Sequence, residues 1–356
     1  MSLASAPAAI KSTAYNLVRS SGLSTIVALS RWRQKRLLIL CYHGISQADE
    51  HESNTDLYLP PTLFRDRMQM LRAGGYRVLP LADGVKRLSS GTLPEKAVSI
   101  TFDDGFVDYY RVAAPILREF GYPATVYVST RYVEAQLPAF PPILSYVLWK
   151  GKGQEAESHG LVSDGHPLRT RTKRDRDDSL ARLVAATSGK SPEACDDVAA
   201  ELAQRLHVDY AAIKARRLFH LMTPDEIAET ATGLTDIQLH THRHVQPRDP
   251  EAFHREISDN REALSRLGIP SERLAHFCYP MGETRPELPG WLAGAGIVSA
   301  TTCVPGIASK ESNQLLLPRF IDTQGVSRSK FEAWVSGVAA LLPGRHATAS
   351  NGAGHA

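Results

Sequence analysis

Along the chain, short unbroken apolar runs alternate with stretches whose apolar residues recur at helical spacing. Leu37-Leu38-Ile39-Leu40-Cys41-Tyr42 contains no charged residue, the mark of a strand covered on both faces. Leu63, Phe64, Met68, Met70 and Leu71 make a helical stripe that Gly74-Gly75 ends, and Tyr76–Leu79 reads as a short strand. A helix over Leu81–Leu88, a buried strand over Ala97–Phe102, a helix over Tyr110–Phe120 closed by Gly121, and a strand over Ala124–Val128 follow in turn. This is the rhythm of βαβ units, and it predicts a mostly parallel sheet or a barrel.

The rhythm stops near Pro138, and Pro141-Pro142 marks a boundary. Residues 150–220 are Gly-rich at first, carry the charge run Arg169–Asp178, and then show helical patterns such as Val198, Leu202 and Leu206. A mainly helical insertion or cap over 141–222 is expected, with the charge run as a solvated face. Thr223-Pro224-Asp225-Glu226 is a sound helix start. Beyond it, strands are expected over Thr235–Leu239, Ala275–Tyr279 and Gly296–Thr302, with an amphipathic helix over Phe253–Leu267 ended by Gly268. The α/β part therefore occupies 37–140 and 223–342, and the Gly/Ala/Ser/His-rich tail 343–356 is expected to be disordered.

Residues 1–36 form an amphipathic, basic segment. Ile10, Ala14, Leu17 and Val18 fall at helical spacing ahead of Arg31, Arg33, Lys35 and Arg36. The longest strongly apolar stretch before that cluster, Ile26–Leu29, is far below the ~18 residues a span needs. No charge precedes Lys11 and no signal-peptide pattern follows, so a cytoplasmic location is expected. The segment is read as a helix packed on the domain with its basic end in water. The same pattern also suits peripheral contact with the anionic inner face of a membrane.

Composition narrows the classes. A chain of 356 residues with 43% hydrophobic and 22% charged residues can bury a sizeable core, which excludes wholesale disorder. A net charge of +3 is too balanced to suggest a nucleic-acid binder. The four cysteines, Cys41, Cys195, Cys278 and Cys303, lie far apart without a CxxC pair, which excludes a cysteine zinc cluster and a dense disulfide framework.

Three segments at the carboxyl ends of predicted strands carry candidate chemistry, where a parallel barrel places its reacting groups. In Thr101-Phe102-Asp103-Asp104-Gly105, two adjacent carboxylates conflict unless a cation takes one, which leaves the other ionised as a base. A turn begun by Gly105 would aim both at one site; a plain Asp-Asp-Gly surface turn is the bland alternative. In His240-Thr241-His242-Arg243-His244, the outer histidines, four apart, share one face on a helical turn and can both donate to one metal. No Glu lies between them, so a base must come from elsewhere, and Asp103 can fill that role. His276-Phe277-Cys278-Tyr279-Pro280-Met281-Gly282 ends a strand in a tight turn whose amide suits an oxyanion, although an ordinary strand-to-helix turn reads the same way.

Together these segments resemble the polysaccharide deacetylase family, also called NodB-homology or carbohydrate esterase family 4, from about Leu37 to Arg319. TFDDG appears unaltered, the second motif appears as His240–His244, the third as Phe-x-Tyr-Pro-x-Gly, and Tyr42-His43-Gly44-Ile45 looks like the opening of many members. The resemblance implies a deformed (β/α) barrel, here with the helical insertion, and a divalent metal bound by Asp104, His240 and His244. Zinc is the expected ion, with cobalt, nickel or iron compatible with the same ligands. It further implies Asp103 as catalytic base and the Tyr279 backbone amide as an oxyanion donor.

The chain departs from the family pattern in two places. Cys278 stands where an Arg often orients the base, and Leu317-Pro318-Arg319 stands where the family has Leu-x-His. Arg319 is therefore expected to grip Asp103, and the general acid is left between His43 and His242. Cys278 itself is read as an inert small hydrophobe in a buried strand. The reading that results is a metal-dependent deacetylase acting on an N-acetylated amino sugar in an oligo- or polysaccharide or a lipid-linked glycan, with no nucleic-acid partner. The alternatives are another metal hydrolase on the same scaffold, cleaving an O-acetyl ester or small amide, and a catalytically inert sugar-binding relative.

Overall fold

Eight of the nine strands in the main sheet run parallel, so their carboxyl ends share one rim. The computed structural model describes residues 23–342; the expected helical positions Ile10, Ala14, Leu17 and Val18, and the tail from 343, lie outside them. The strands are β1 (Arg36–Tyr42), β2 (Arg77–Val78), β3 (Ala97–Phe102), β4 (Ala124–Val128), β5 (Thr235–Leu239), β6 (His276–Cys278), β7 (Ser299–Thr301), β8 (Ala308–Ser309) and β9 (Phe320–Ile321). Their order is β7-β6-β5-β4-β3-β1-β8, with β2 beside β3 and β9 beside β1; only β8 is antiparallel. Register is fixed by pairs such as Leu40 with Ile100, Thr101 with Thr125, and Val128 with Leu239. A bridge from Thr301 to Leu317, together with β9 on β1, curls the sheet into an incomplete barrel.

β1 is buried on both faces, as its unbroken apolar run requires. Leu38, Leu40 and Tyr42 pack into the large cluster under the helices, while Leu37 and Ile39 face the inside of the curl with Tyr127, Cys278 and Leu317. The flanking helices include α1 (Pro61–Ala73), which buries Phe64, Met68 and Leu71, α2 (Leu81–Ser90), and α3 (Ala114–Phe120), ended by Gly121 in the left-handed region. The stretch expected as one helix over Tyr110–Phe120 opens instead with a wider π turn, Tyr109–Ala113.

Between β4 and β5 lie α4 (Pro142–Lys150), α5 (Lys173–Thr187) and α6 (Pro192–Arg205), with a two-stranded ribbon of Glu155–Ala156 and Leu168–Arg169. Their apolar faces meet in a second cluster that includes Ile143, Leu148, Leu183, Leu202 and Leu206. The charge run opens α5, where Thr172 and Asp175 form a capping box and the pairs Lys173–Asp177 and Arg174–Asp178 lie exposed. Both ends of this segment return to the same place. Ala139 N–H donates to the Phe219 carbonyl at 2.7 Å, and Met222 N–H to that of Gly105 at 3.0 Å. Beyond it, Thr223 and Glu226 cap α7 (Pro224–Ala231), and α8 (Pro250–Arg266) covers β5.

The amino-terminal basic cluster is not simply a solvated end. Arg33 is fully buried and donates to the carbonyls of Val335, Arg36 and Ala97, because three backbone oxygens converge where the short helix Arg31–Gln34 meets the sheet. In the helix Leu23–Leu29, Val27 and Ala28 pack inward, whereas Leu23, Ile26 and Leu29 are exposed. Among the described residues no helix is long and apolar enough to cross a membrane.

Candidate active site

Each strand end delivers one part of the site. β3 runs into Asp103 and Asp104, β5 into His240, β6 into Tyr279, β1 into His43, and β4 into Ser129. The turn expected to begin at Gly105 begins one residue earlier, since Asp104 itself has φ 72°. That left-handed step brings two neighbouring carboxylates into one cavity instead of onto opposite faces. Gly105, at φ 87°, passes so close to β4 that a Cβ would meet both Val128 methyls at 3.0 Å.

Asp104, His240 and His244 converge. Both imidazole Nε2 atoms lie 3.2 Å from Asp104 Oδ1, and the three ligand atoms are all within 4.8 Å of one another. They do not reach this arrangement on a helical turn, as the four-residue spacing suggested. The segment is an irregular loop, with Thr241 at φ 61° and His244 at φ 57°, and the reversal it makes brings the two rings to 4.9 Å. His240 Nδ1 pairs with the Cys278 carbonyl at 2.8 Å, which fixes that nitrogen as the donor and leaves Nε2 free to ligate. Burial pushes the Asp104 carboxyl up, but hydrogen bonds from His240 and His244 overcome it and hold the group well below the usual range. Burial lowers His244, and the adjacent Asp104 more than reverses that. One oxygen and two nitrogens facing one point, with the tautomer set from behind, form a donor set that fits a divalent cation.

Asp103 stands beside this set, almost fully buried. Arg319 Nη1 and Nη2 donate to its two oxygens at 2.7 Å each, and Arg319 Nε is anchored on the Thr302 carbonyl at 2.9 Å. Burial alone would raise the Asp103 carboxyl; the Arg319 charge and hydrogen bonds drive it far below instead. Cys278 is buried as expected but lies within this polar network, its thiol 3.4 Å from Asp103 Oδ2 and 3.1 Å from Arg319 Nη2. Cys41, His43 and Asp103 make a second close group of possible ligands, yet the guanidinium on both Asp103 oxygens opposes a cation there.

The two candidate acids part company. His43 lines the cavity with Nε2 3.8 Å from Asp103 Oδ2. His242 turns away: its Nδ1 pairs with Thr130 Oγ1 at 2.8 Å, and its Nε2 lies 3.9 Å from Glu134. The Tyr279 amide is not free, because its N–H donates to the Thr301 carbonyl at 3.3 Å in continuation of the β6–β7 ladder. Its hydroxyl donates to the Leu315 carbonyl at 2.7 Å. Two residues on, Met281 lines the same cavity at φ 56°, and among the described residues its N–H has no acceptor.

Sequence reasoning missed the supports behind the ligands. Asn260 on α8, fully buried, accepts from His240 N–H at 2.9 Å and donates to the Val128 carbonyl and Thr130 Oγ1. Ser129 Oγ donates to the His240 carbonyl at 2.8 Å, and Ser129 N–H donates to that of Asp104. The signal for Asn260 was its place in the apolar stripe of α8, with Phe253, Ile257 and Leu264, where an amide needs a buried partner. The reacting groups line a 510 Å3 cavity, which Pro142 and Leu180 of the insertion and the preceding Phe140 also line.

Comparisons with known proteins bear on the family and the fold. The polysaccharide deacetylase family model matches residues 90–297. A Bacillus subtilis (strain 168) protein described as a polysaccharide deacetylase, YxkH, is 30% identical over 134 residues, 37% of this chain and 43% of that protein. The poly-beta-1,6-N-acetyl-D-glucosamine N-deacetylase of Escherichia coli (strain K12) is 30% identical over 101 residues, 28% of this chain and 15% of that protein. The alignments thus span less than half the length of either relative. The fold resembles that of Streptococcus pyogenes deacetylase PplD (TM-score 0.56, 20% identity, 86% of this chain and 99% of that one). It also resembles that of IcaB from Ammonifex degensii (TM-score 0.51, 18% identity, 85% and 97%). Because the family model covers more than half of the sequence, including TFDDG and the histidine motif, the chain belongs to the polysaccharide deacetylase family.

Proposed function

We propose that this protein is a metal-dependent N-deacetylase that hydrolyses the acetamido group of an amino sugar in an oligo- or polysaccharide or a lipid-linked glycan, releasing acetate. The observation that carries the reading is the convergence of Asp104, His240 and His244 on one point beside an ionised, Arg-clamped Asp103. A divalent cation held by those three residues, zinc in our reading, supplies Lewis acidity toward the amide carbonyl and lowers the pKa of a water.

This chain's own residues supply the rest. Asp103, kept ionised and oriented by Arg319, accepts the proton of the attacking water. The unpaired Met281 N–H, in place of that of Tyr279, donates to the oxygen on which charge develops. His43, the candidate acid that lines the cavity, donates a proton to the departing nitrogen. Ser129 and Asn260 hold the His240 backbone so that the two imidazoles keep their angle. Acetate release from N-acetylglucosamine oligomers, followed with and without chelator, tests the reading. Asp103→Asn and His240→Ala are each expected to lose at least about 100-fold in kcat. Full activity in the chelated protein or in either variant refutes it.

A further inference from the structure

The cavity above the reacting groups is walled with carbon. Leu57, Phe106, Phe140, Pro142, Leu180 and Met281 come from separate stretches of chain and face the same 510 Å3 space. A subsite for sugar hydroxyls would present carboxylates, amides and other hydrogen-bonding side chains. Outside the reacting groups, the polar side chains of this lining are few, namely Asn54, Ser129, Tyr132, Ser145, Tyr279 and Cys303. Tyr279 already uses its hydroxyl on Leu315, and Ser129 uses its own on His240.

The carbon surface lies on the outer side of the reacting centre. Asp103 is backed by Arg319 at 2.7 Å and the Cys278 thiol at 3.4 Å, both fully buried and neither lining the cavity, so the cavity does not extend past them. Toward the solvent the apolar wall continues to Met281, which is 64% exposed and held at φ 56°, ψ 7° in a turn fixed by Gly282. Gly282 itself, at φ 68°, packs so closely that a Cβ would meet the Cys303 Cβ at 2.5 Å. A flexible, polarisable side chain kept in a strained position at the mouth suits an apolar ligand passing over it.

We propose that the substrate carries an aliphatic chain on the amine half of its acetamido group, that is, a lipid-borne amino sugar, and that this chain lies between Met281 and the Leu180 face of the insertion. The inference rests on the deacetylase reading and specifies its substrate class. It also gives the insertion a role. Its carboxyl-terminal end is hydrogen-bonded to Gly105 and Val107 beside the Asp103-Asp104 turn, Ala139 is tied to Phe219, and Pro142 and Leu180 of the insertion line the cavity with the preceding Phe140.

The test uses the full chain loaded with zinc and methyl, butyl and octyl glycosides of N-acetylglucosamine. Each fully buried methylene is worth about threefold to fourfold in affinity, so a partly covered octyl chain is expected to lower KM by at least about tenfold relative to methyl. Leu180→Asn is expected to bring the octyl-to-methyl ratio of kcat/KM close to one. Leu234→Asn, at an exposed leucine outside the cavity, keeps the wild-type ratio. Equal KM along the glycoside series overturns the inference and leaves the deacetylase reading standing. So does a gain that follows N-acyl length at a fixed methyl glycoside. If neither the glycosides nor N-acetylglucosamine oligomers are turned over, the deacetylase reading fails; wherever the glycosides are not turned over, the chain site is judged by displacement of a fluorescent apolar dye. Displacement by octyl but not methyl glycoside, lost in Leu180→Asn, supports the site; no displacement refutes it.

Discussion

Removing the guanidinium from Arg319 tests both the architecture and the proposed chemistry. Arg319 is fully buried and makes five polar contacts of 3.2 Å or less: both Asp103 oxygens at 2.7 Å, the Thr302 carbonyl at 2.9 Å, the Cys278 thiol at 3.1 Å and Thr101 Oγ1 at 3.2 Å. Arg319→Ala leaves the Asp103 carboxylate with only the Cys41 and Cys278 thiols, at 3.6 and 3.4 Å, and the more distant His43. Breaking a buried pair by removing one partner costs about 3–5 kcal/mol, and the orphaned Thr302 carbonyl adds about 1 kcal/mol. Urea unfolding of the chelated protein, followed by tryptophan fluorescence, measures this without reference to activity. Asp103→Asn is expected to lose a similar amount, because it strands the guanidinium. The double variant is expected to lose clearly less than the sum, with a coupling of about 2–4 kcal/mol. Arg319→Lys restores the charge but only one donor direction, so its loss falls between. In turnover, Arg319→Ala is expected to lower kcat/KM by at least about 100-fold, since the base is no longer oriented. A stability loss under about 1 kcal/mol with additive singles, or an unchanged kcat/KM, refutes the reasoning.

Four further outcomes follow from the same geometry. Chelation is expected to abolish acetate release and added zinc to restore it, with one equivalent bound per chain in the wild type and far less in His244→Ala; undiminished metal content in that variant removes His244 from the ligand set. Asn260→Ala takes one acceptor and two donors out of a fully buried position, so a loss of about 2–3 kcal/mol in urea and a ~10-fold weaker metal site are expected by unfolding and metal titration. Gly282→Ala forces a Cβ against Cys303 at positive φ and is expected to cost at least about 2 kcal/mol; a neutral result would mean that the turn can move away. Burial pushes the Asp322 carboxyl up to about 6 despite the Arg67 guanidinium at 3.0 Å, whereas the unfolded chain titrates near ~3.9. The contribution of this group is therefore full below the unfolded value and lost as pH rises through about 6, so the free-energy difference between wild type and Asp322→Asn is expected to shrink over that window. A difference that stays constant with pH contradicts the assignment.

Much of this protein was readable along the chain because burial leaves a periodic trace. β1, β3, β4 and β5 match their apolar runs to within a residue, and Thr223, Gly121 and Gly74 end or begin helices as their chemistry requires. The same locality explains why TFDDG and the histidine segment could be singled out: each places several reactive groups within five residues. What local pattern could not carry was direction. Helical spacing suggested how His240 and His244 meet, but a loop with two left-handed residues performs it. The turn was expected to offer the Tyr279 amide, yet the Thr301 carbonyl of the neighbouring strand claims it and leaves that of Met281. Arg319 was expected on Asp103, but the two-residue strand Phe320–Ile321 that delivers it from 216 residues away was too short to leave a period. Asn260, Ser129 and the choice of His43 over His242 likewise depend on partners distant in sequence. Hydrophobic periodicity is a property of one segment with respect to water, whereas a ligand angle or a shared proton depends on two segments meeting, and only the curled sheet decides which ones meet.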